Sequence, residues 1–261
     1  MKVGTWAWAE ATDGRLRRRD RIELLRQAVL ARLGALIAAR RTAPAGLSIE
    51  LPDPPDSALA RAAEECVREL STPELYGHCL RTWAFAAMFA AGAKTRHDPE
   101  LLYLACVLHD LGLTPAHDGV DPNAQCFAVE GARAARERIC GWGGGEDRAV
   151  RVAEAITLHL NVTLPPRLGI EASLLSKGVS LDTIGRRLHK LPPSSLREVD
   201  GQWPREGFAE QLVAMATRQA EIRPRSRSEL FDGLGFPDLL LANPLREQSP
   251  SLPSQGDAGR S

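Results

Sequence analysis

Hydrophobic residues recur along most of this chain at the three- and four-residue spacing of amphipathic helices. An arginine-rich start leads into one such pattern over residues 15–37, which predicts an amphipathic helix there. Prolines and a glycine interrupt the pattern over residues 42–55, and proline is disfavoured in helix interiors. We therefore expect a connector between this first helix and the rest of the chain.

Capping residues mark the starts of the two helices that follow the connector. Ser57 can accept a hydrogen bond from the first turn of a helix that ends near residue 70. Thr72 can do the same for a helix over residues 73–93, and Pro73 occupies a first-turn position where a backbone N–H is not needed. The pattern thus predicts two consecutive helices in this part of the chain.

The next predicted helix is apolar on every side. Asp98 begins it, and it runs to Asp110, ahead of Gly112 and Pro115. A helix without a polar stripe is typical of a buried position. We therefore expect this helix to lie at the centre of the fold.

Helical patterns also fill the second half of the chain, where glycine or proline runs separate them. The predicted helices cover residues 124–139, 146–160, 171–188 and 205–222. No segment alternates with a period of two over a length that would build a sheet. The fold class that this pattern predicts is all-α.

The same pattern divides the chain into three parts. Residues 1–46 are predicted to form an N-terminal helical extension, and residues 47–242 a single multi-helix domain. Over residues 243–261 the composition shifts to Pro, Ser, Gly and Gln, which bury too little apolar surface to offset the cost of ordering. We expect this tail to be disordered.

Composition and charge narrow the range of partners. The 261 residues carry 33 Lys plus Arg and 33 Asp plus Glu, so no excess charge recruits nucleic acid or an anionic membrane. No apolar stretch reaches the roughly 20 residues of a spanning helix, and the N-terminus lacks a signal-peptide core. The five cysteines form no C-x-x-C pair, which indicates buried free thiols. We expect a cytoplasmic protein with a small-molecule substrate, and the sequence is compatible with a homo-oligomer.

Histidines and aspartates fall at inward-facing helix positions. His109 and Asp110 end the apolar helix, where an ionised carboxylate costs several kcal/mol unless a cation or strong donors meet it. His159 projects from an apolar helix face, Asp182 from a face of small and apolar residues, and His78 from the helix that Thr72 caps. Each residue alone would be interpreted as a hydrogen-bonded core residue. Together, imidazoles and carboxylates are typical ligands of zinc, iron or manganese.

The order H…HD…D is also that of a known family. The chain resembles the HD-domain metalloproteins, and within them the cyanamide-hydratase-like branch, over residues 47–188. The matching segments are LPD and PDS before the first capped helix, STPELYGHCLR, LHDLGLT, FAVEGA, EAITLH and GVSLD. Gly77 and Cys79 depart from that branch, which usually carries asparagine and serine at these positions. The resemblance implies that residues 47–242 form a single HD-type domain with a metal site in its helical core.

The resemblance also implies roles for individual residues. It implies a divalent zinc or iron ion, or manganese, with four protein ligands: His78, His109, Asp110 and Asp182. It further implies that His159 lines the substrate cavity and acts in catalysis together with Asp110.

Two further residues are candidates on weaker grounds. Glu130, in the matching segment FAVEGA, is a candidate catalytic residue. Arg81, one helical turn after His78, is a candidate substrate-binding residue.

A metal that activates water is compatible with several functions. The first is a hydratase (hydro-lyase) or hydrolase acting on a small nitrile-like substrate such as cyanamide. The alternative is an HD-type phosphohydrolase acting on a nucleotide or another phosphate ester, with arginines such as Arg81 on the phosphate oxygens. A third is a non-catalytic, metal-stabilised binding protein. The glycine run at 141–145 contains a tryptophan and precedes two acidic residues, which is atypical of a phosphate-binding loop and favours the first function.

Overall fold

The computed structural model describes residues 1–38, 49–119, 121 and 123–246, without the side chains of residues 35–38. These residues form α-helices, short 3₁₀ turns and irregular segments, and no strand occurs among them. The prediction of an all-α fold is confirmed. Within the same residues, no helix has the length and hydrophobicity needed to cross a lipid bilayer.

The α-helices of the described residues are numbered in chain order. They are α1 (Trp6–Thr12), α2 (Arg18–Ala38), α3 (Ala58–Leu70), α4 (Pro73–Gly92), α5 (Pro99–Leu108), α6 (Phe127–Gly141), α7 (Glu146–Leu158), α8 (Ile170–Ile184), α9 (Pro193–Gln202), α10 (Phe208–Ile222), α11 (Arg227–Asp232) and α12 (Phe236–Leu241).

Side-chain caps begin the helices where the sequence predicts them. Ser57, Thr72 and Asp98 precede α3, α4 and α5, and each accepts a hydrogen bond from the backbone N–H three residues further on. These bonds satisfy N–H groups that have no partner within the helix itself. The capping residues therefore fix where three helices of the core begin.

Helix α5 lies at the centre of the fold. Its residues 101–108 are all buried, and it packs against α3, α4, α7 and α8. Helix α8 approaches α4 so closely that a Cβ at Gly178 would lie 2.2 Å from the carbonyl oxygen of Thr82. The same closeness holds at Gly112, where a Cβ would lie 2.0 Å from the carbonyl oxygen of Phe127 on α6. Glycines at both positions let α4, α6 and α8 meet around the end of α5.

Among the described residues, four helices lie where the hydrophobic pattern predicts none: α1, α9, α11 and α12. The first has seven residues and the last two have six each, which is too short for a helical period to be visible. Helix α9 begins at Pro193, a first-turn proline that the pattern marked only as a helix breaker.

The two ends of the described chain pack on the domain. Trp8 of α1 and Leu24 of α2 are fully buried in a cluster with Phe208 of α10. At the other end Asn243 and Leu245 are buried, so the packed part of the chain extends at least to Leu245. The rest of the predicted disordered tail, and most of the connector predicted at 42–55, lie outside the described residues.

The cysteines are free thiols, as their spacing in the sequence predicts. Four of them are buried, whereas Cys140, at the outer face of the last turn of α6, is exposed.

Candidate metal centre

Three metal-binding side chains meet where α4 passes the end of α5. Nε2 of His109 lies 3.2 Å from Nε2 of His78 and 3.1 Å from Oδ2 of Asp110, and the latter two atoms lie 3.4 Å apart. All three residues are buried, and their donor atoms lie within 4.8 Å of one another. His109 and Asp110 follow α5 directly, while His78 reaches them from the second turn of α4.

The hydrogen bonds of the imidazole rings determine which nitrogen can bind a metal. Nδ1 of His109 lies 2.7 Å from a backbone carbonyl oxygen three residues earlier. A carbonyl only accepts hydrogen bonds, so this Nδ1 carries a proton and Nε2 is the ring nitrogen that can bind a metal. His78 uses its Nδ1 in the same way, toward Asp182 at 2.7 Å. The two Nε2 atoms, 3.2 Å apart, need a cation between them, and with the Asp110 carboxylate beside them this donor set fits a divalent metal.

Charge interactions within the cluster shift two pKa values in opposite directions. Burial acts to lower the pKa of His109, but the neighbouring Asp110 carboxylate outweighs it and raises that pKa to about 9. Burial acts to raise the pKa of Asp110, but the charges and hydrogen bonds of His109 and His78 hold it well below its usual range. The cluster therefore holds Asp110 ionised, which is the form that binds a metal.

Asp182, predicted as a fourth ligand, lies outside this group of three donor atoms. Its Oδ2 faces Nδ1 of His78, on the edge of the ring opposite Nε2. Its Oδ1 accepts hydrogen bonds from Nε of Arg81 at 2.8 Å and from a terminal nitrogen of Arg205 at 3.0 Å. Against the effect of burial, these two guanidinium groups hold the pKa of Asp182 far below its usual range. The carboxylate orients His78 from behind, as carboxylates commonly do for metal-binding histidines.

Arg81, predicted as a substrate-binding residue, is part of this supporting layer and does not line the cavity next to the cluster. Besides Asp182, it donates to the backbone carbonyls of Trp203 and Pro204, at 3.2 and 2.9 Å. Its guanidinium also lies over the ring of Phe208, 4.8 Å from the centroid. Three residues after His78, it lies on the same helix face and is directed at α8 and α10.

Glu130 is also placed away from the cluster. Its carboxylate forms a buried ion pair with Arg223 and accepts the backbone N–H of Asp121 at 3.3 Å. This candidate catalytic residue does not line the cavity at the metal-binding cluster. A buried carboxylate is costly without a compensating positive charge, and Arg223 at the end of α10 supplies that charge.

His159 lies beside the cluster, with its side chain directed inward as the apolar face of its helix predicts. It follows α7, and its ring centroid lies 5.1 Å from that of His109, at an interplanar angle of 86°. Its Nδ1 lies 2.6 Å from the carbonyl oxygen of Ile156, so Nε2 is directed inward, 3.9 Å from Oδ1 of Asp110. Burial, with the positive charge of His109, lowers the pKa of His159 to about 3, so the ring is held neutral.

A cavity of about 340 Å³ opens from this cluster. Its buried end is lined by His78, Asp110 and His159. Most of its other lining residues are aliphatic or aromatic, and the cationic ones are Arg32 and Arg186. The volume lies within the range typical of small-molecule sites.

Two residues of the site carry no local sequence signal. Phe208 stacks on His78 with ring centroids 4.7 Å apart, and Arg205 pairs with Asp182. Both lie more than 100 residues from His78 in the chain, and only the packing of α10 against α4 brings them near it. The pattern predicted a helix at 205–222 but not the element against which it packs.

Comparisons with known proteins agree with this geometry. Residues 75–177 match the model of the HD domain family, a span that contains His78, His109, Asp110 and His159 and ends before Asp182. The chain is 28% identical over 156 residues to the cyanamide hydratases DDI2 and DDI3 of Saccharomyces cerevisiae. Each alignment covers 58% of this chain and 68% of the relative. Residues 75–177 thus match an HD domain, the chain is similar to cyanamide hydratases, and these similarities indicate a metal-dependent enzyme of the hydrolase or hydratase type.

Proposed function

We propose that this enzyme adds water to the C≡N group of a small nitrile-like substrate such as cyanamide, using a divalent metal held by His78, His109 and Asp110. One observation carries this proposal. The three donor atoms and Nε2 of His159 converge on the buried end of a largely apolar cavity. The similarity to two cyanamide hydratases supports the same reaction class.

The metal would be zinc, iron or manganese, each of which binds mixed imidazole and carboxylate ligands. When bound, such an ion supplies Lewis acidity and lowers the pKa of water toward neutrality. Asp182 would maintain the ligand geometry by fixing the proton of His78 on Nδ1, 2.7 Å away.

His159 would move the proton during hydration. As the water oxygen forms a bond to the nitrile carbon, one C–N π bond opens onto nitrogen. Nε2 of His159 accepts a proton from the water and returns it to that nitrogen, and the remaining hydroxyl proton then shifts from oxygen to nitrogen. The product is an amide, or urea from cyanamide. Oδ1 of Asp110, 3.9 Å from this Nε2, would stabilise the protonated ring.

The alternative function, a phosphohydrolase, rests on the two arginines of the cavity. Arg186 donates to the carbonyl oxygen of Val162 at 2.8 Å and Arg32 to that of Leu234 at 2.8 Å, which leaves other N–H groups of each for a phosphate. Arg81 cannot serve this purpose, because Asp182 and two backbone carbonyls engage it. The apolar remainder of the lining favours an uncharged substrate and therefore the hydratase.

We further propose that the protein acts in the cytoplasm on a small molecule and that one packed domain includes the N-terminal helices α1 and α2. The burial of Trp8 and Leu24 against α10 supports that domain organisation.

A product screen tests the proposed function. Purified enzyme of known metal content would be incubated with cyanamide, simple nitriles, nucleotides and p-nitrophenyl phosphate, and urea or amide and phosphate would be quantified. Urea from cyanamide without phosphate release is the expected result. Phosphate release without urea would replace the hydratase by the phosphohydrolase. The His109→Ala variant provides the background rate.

A further inference from the structure

The segments that line the outer part of the cavity differ from those that line its metal-binding end. Besides residues of α8, its walls come from α2, α10 and the pair α11–α12, and these three segments contribute Ala31, Leu212, Ala216, Phe231 and Phe236. All of these residues lie outside residues 75–177, the span that matches the HD domain. These three segments are therefore additions to the part of the chain that supplies the metal ligands.

The cavity is much larger than cyanamide. At about 30 Å³ per water-sized group, a volume of about 340 Å³ holds roughly ten non-hydrogen atoms. Cyanamide has only three. A substrate of that size would occupy the buried end and leave the apolar walls of α2, α10 and α11–α12 without contacts.

Three polar side chains of the outer cavity donate hydrogen bonds within the protein. The hydroxyl of Ser180 donates to the carbonyl oxygen of Lys177 at 3.2 Å, and that of Thr183 to the carbonyl oxygen of Val179 at 2.7 Å. Asn161 donates to the carbonyl oxygen of Val3 at 2.9 Å. The walls from α10 and α11–α12 are mainly aliphatic and aromatic, and a charged group held against them, away from Arg32 and Arg186, would lose hydration without gaining a partner.

We propose that the substrate of this enzyme is an uncharged molecule whose C≡N group carries an aliphatic or aromatic substituent of several carbon atoms, bound between α2, α10 and α11–α12. This inference rests on the proposed hydratase function, and it names the substrate class. Each methylene that enters the apolar walls is expected to raise kcat/KM about fourfold, until the cavity is full.

The test uses the metal-loaded enzyme and a series of substrates: cyanamide, N-methyl-, N-propyl- and N-butylcyanamide, and an N-butyl analogue that ends in a carboxylate. Rising kcat/KM along the uncharged series, together with a loss of at least tenfold for the carboxylate, is the expected result. Equal kcat/KM for cyanamide and N-butylcyanamide would overturn the inference and leave the hydratase function intact.

Two variants of α10 locate the effect. Ala216→Phe fills the cavity, so the ratio of kcat/KM for N-butylcyanamide to that for cyanamide should fall by on the order of 100-fold. Ala214→Phe, on the exposed face of the same helix, should leave the ratio unchanged. An unchanged ratio in Ala216→Phe would place the substituent elsewhere and contradict the proposal.

A binding measurement separates failure of this inference from failure of the hydratase function. N-butylurea and urea, the corresponding products, would be titrated calorimetrically into the metal-loaded enzyme and into Ala216→Phe. Tighter binding of N-butylurea that Ala216→Phe abolishes supports the apolar site, even if no nitrile is hydrated. Equal affinity for the two ureas in the parent enzyme would overturn it.

Discussion

The carboxylate of Asp182 lies 2.7 Å from Nδ1 of His78, on the edge of the ring opposite the nitrogen that faces His109. The other carboxylate oxygen of Asp182 pairs with the buried guanidinium groups of Arg81 and Arg205. This layer behind the ligands fixes the ring of His78 and its protonation. The residues proposed to bind the metal therefore differ from the residues that orient them. Substitutions in the two groups should have different effects on metal affinity and stability.

Asp182→Asn should weaken metal binding without abolishing it. An asparagine no longer fixes the proton of His78 on Nδ1, and loss of such an outer partner typically lowers metal affinity 10- to 100-fold. A chelator competition titration measures this affinity. The Asp110→Ala variant is the comparison, because it removes a donor atom and should lose the metal altogether. Equal loss in the two variants would show that Asp182 is itself a ligand.

Asp182→Asn should also destabilise the fold. The change leaves Arg81 buried without its carboxylate partner, whereas Arg205 keeps its ion pair with Asp200, and breaking a buried ion pair from one side costs about 3–5 kcal/mol. Denaturant unfolding measures the free energy of unfolding. The matched surface change Asp56→Asn removes an exposed partner of Arg61 and should have an effect below about 1 kcal/mol. Similar effects of the two changes would contradict the supporting role of Asp182.

His159→Gln should separate metal binding from turnover. Its ring borders the cluster, but its Nε2 lies 3.9 Å from Asp110 and outside the group of three donor atoms. The variant should keep its metal content while turnover falls by roughly 10²- to 10⁴-fold, the contribution of a general acid–base group. Elemental analysis and steady-state kinetics measure the two quantities. Turnover equal to that of the wild type would indicate that His159 is only structural. Loss of the metal would indicate that His159 is a ligand.

Stability should decline at alkaline pH because of two tyrosines that share the carboxylate of Glu64, Tyr103 buried and Tyr76 half-buried. Burial, and then hydrogen bonds to Glu64, raise the pKa of Tyr76 to about 12 and that of Tyr103 further still. Since both pKa values are higher in the folded state, their stabilising contribution is complete below pH 10, the unfolded value, and is lost as the pH rises above it. Denaturant unfolding between pH 9 and 12 measures the decline. It should be shallower in Tyr103→Phe, and identical slopes would contradict this origin.

Truncation should show how far the packed part of the C-terminal segment extends. A chain ending at residue 242 loses the buried side chain of Leu245 and the hydrogen bond from Asn243 to the carbonyl oxygen of Asp182, at 2.8 Å. We expect it to be about 2–5 kcal/mol less stable than a chain ending at residue 246, by analogy with the loss of a buried leucine. Thermal melts of the two truncated proteins test this, and equal melting temperatures would contradict the docking of Leu245.

The sequence predicts the elements of this site whose causes are local. Thr72 caps α4 and so sets the position of His78, and the apolar length of α5 places His109 and Asp110 in the core. Because His159 follows an apolar helix face, its inward direction can also be predicted.

The sequence could not identify the residues that pair across the fold. The sequence does not show which residue Arg81 pairs with. The close approach of α4 and α8 at Gly178 brings it to Asp182. Glu130 likewise meets Arg223, which lies 93 residues further along the chain. Pairing of this kind depends on tertiary packing, so it cannot be predicted from the helical periodicity or the capping residues. The cavity walls from α2 and α10–α12 escaped prediction for the same reason.

A metal titration of the hydratase activity tests the central claim most directly. Enzyme freed of metal by a chelator would receive zinc, iron or manganese in steps, and urea formed from cyanamide or N-butylcyanamide would be measured at each step. Urea formation that rises in proportion to added metal, levels off at about one equivalent and is absent from Asp110→Ala is the predicted result. No urea from either substrate at full metal occupancy would contradict the account.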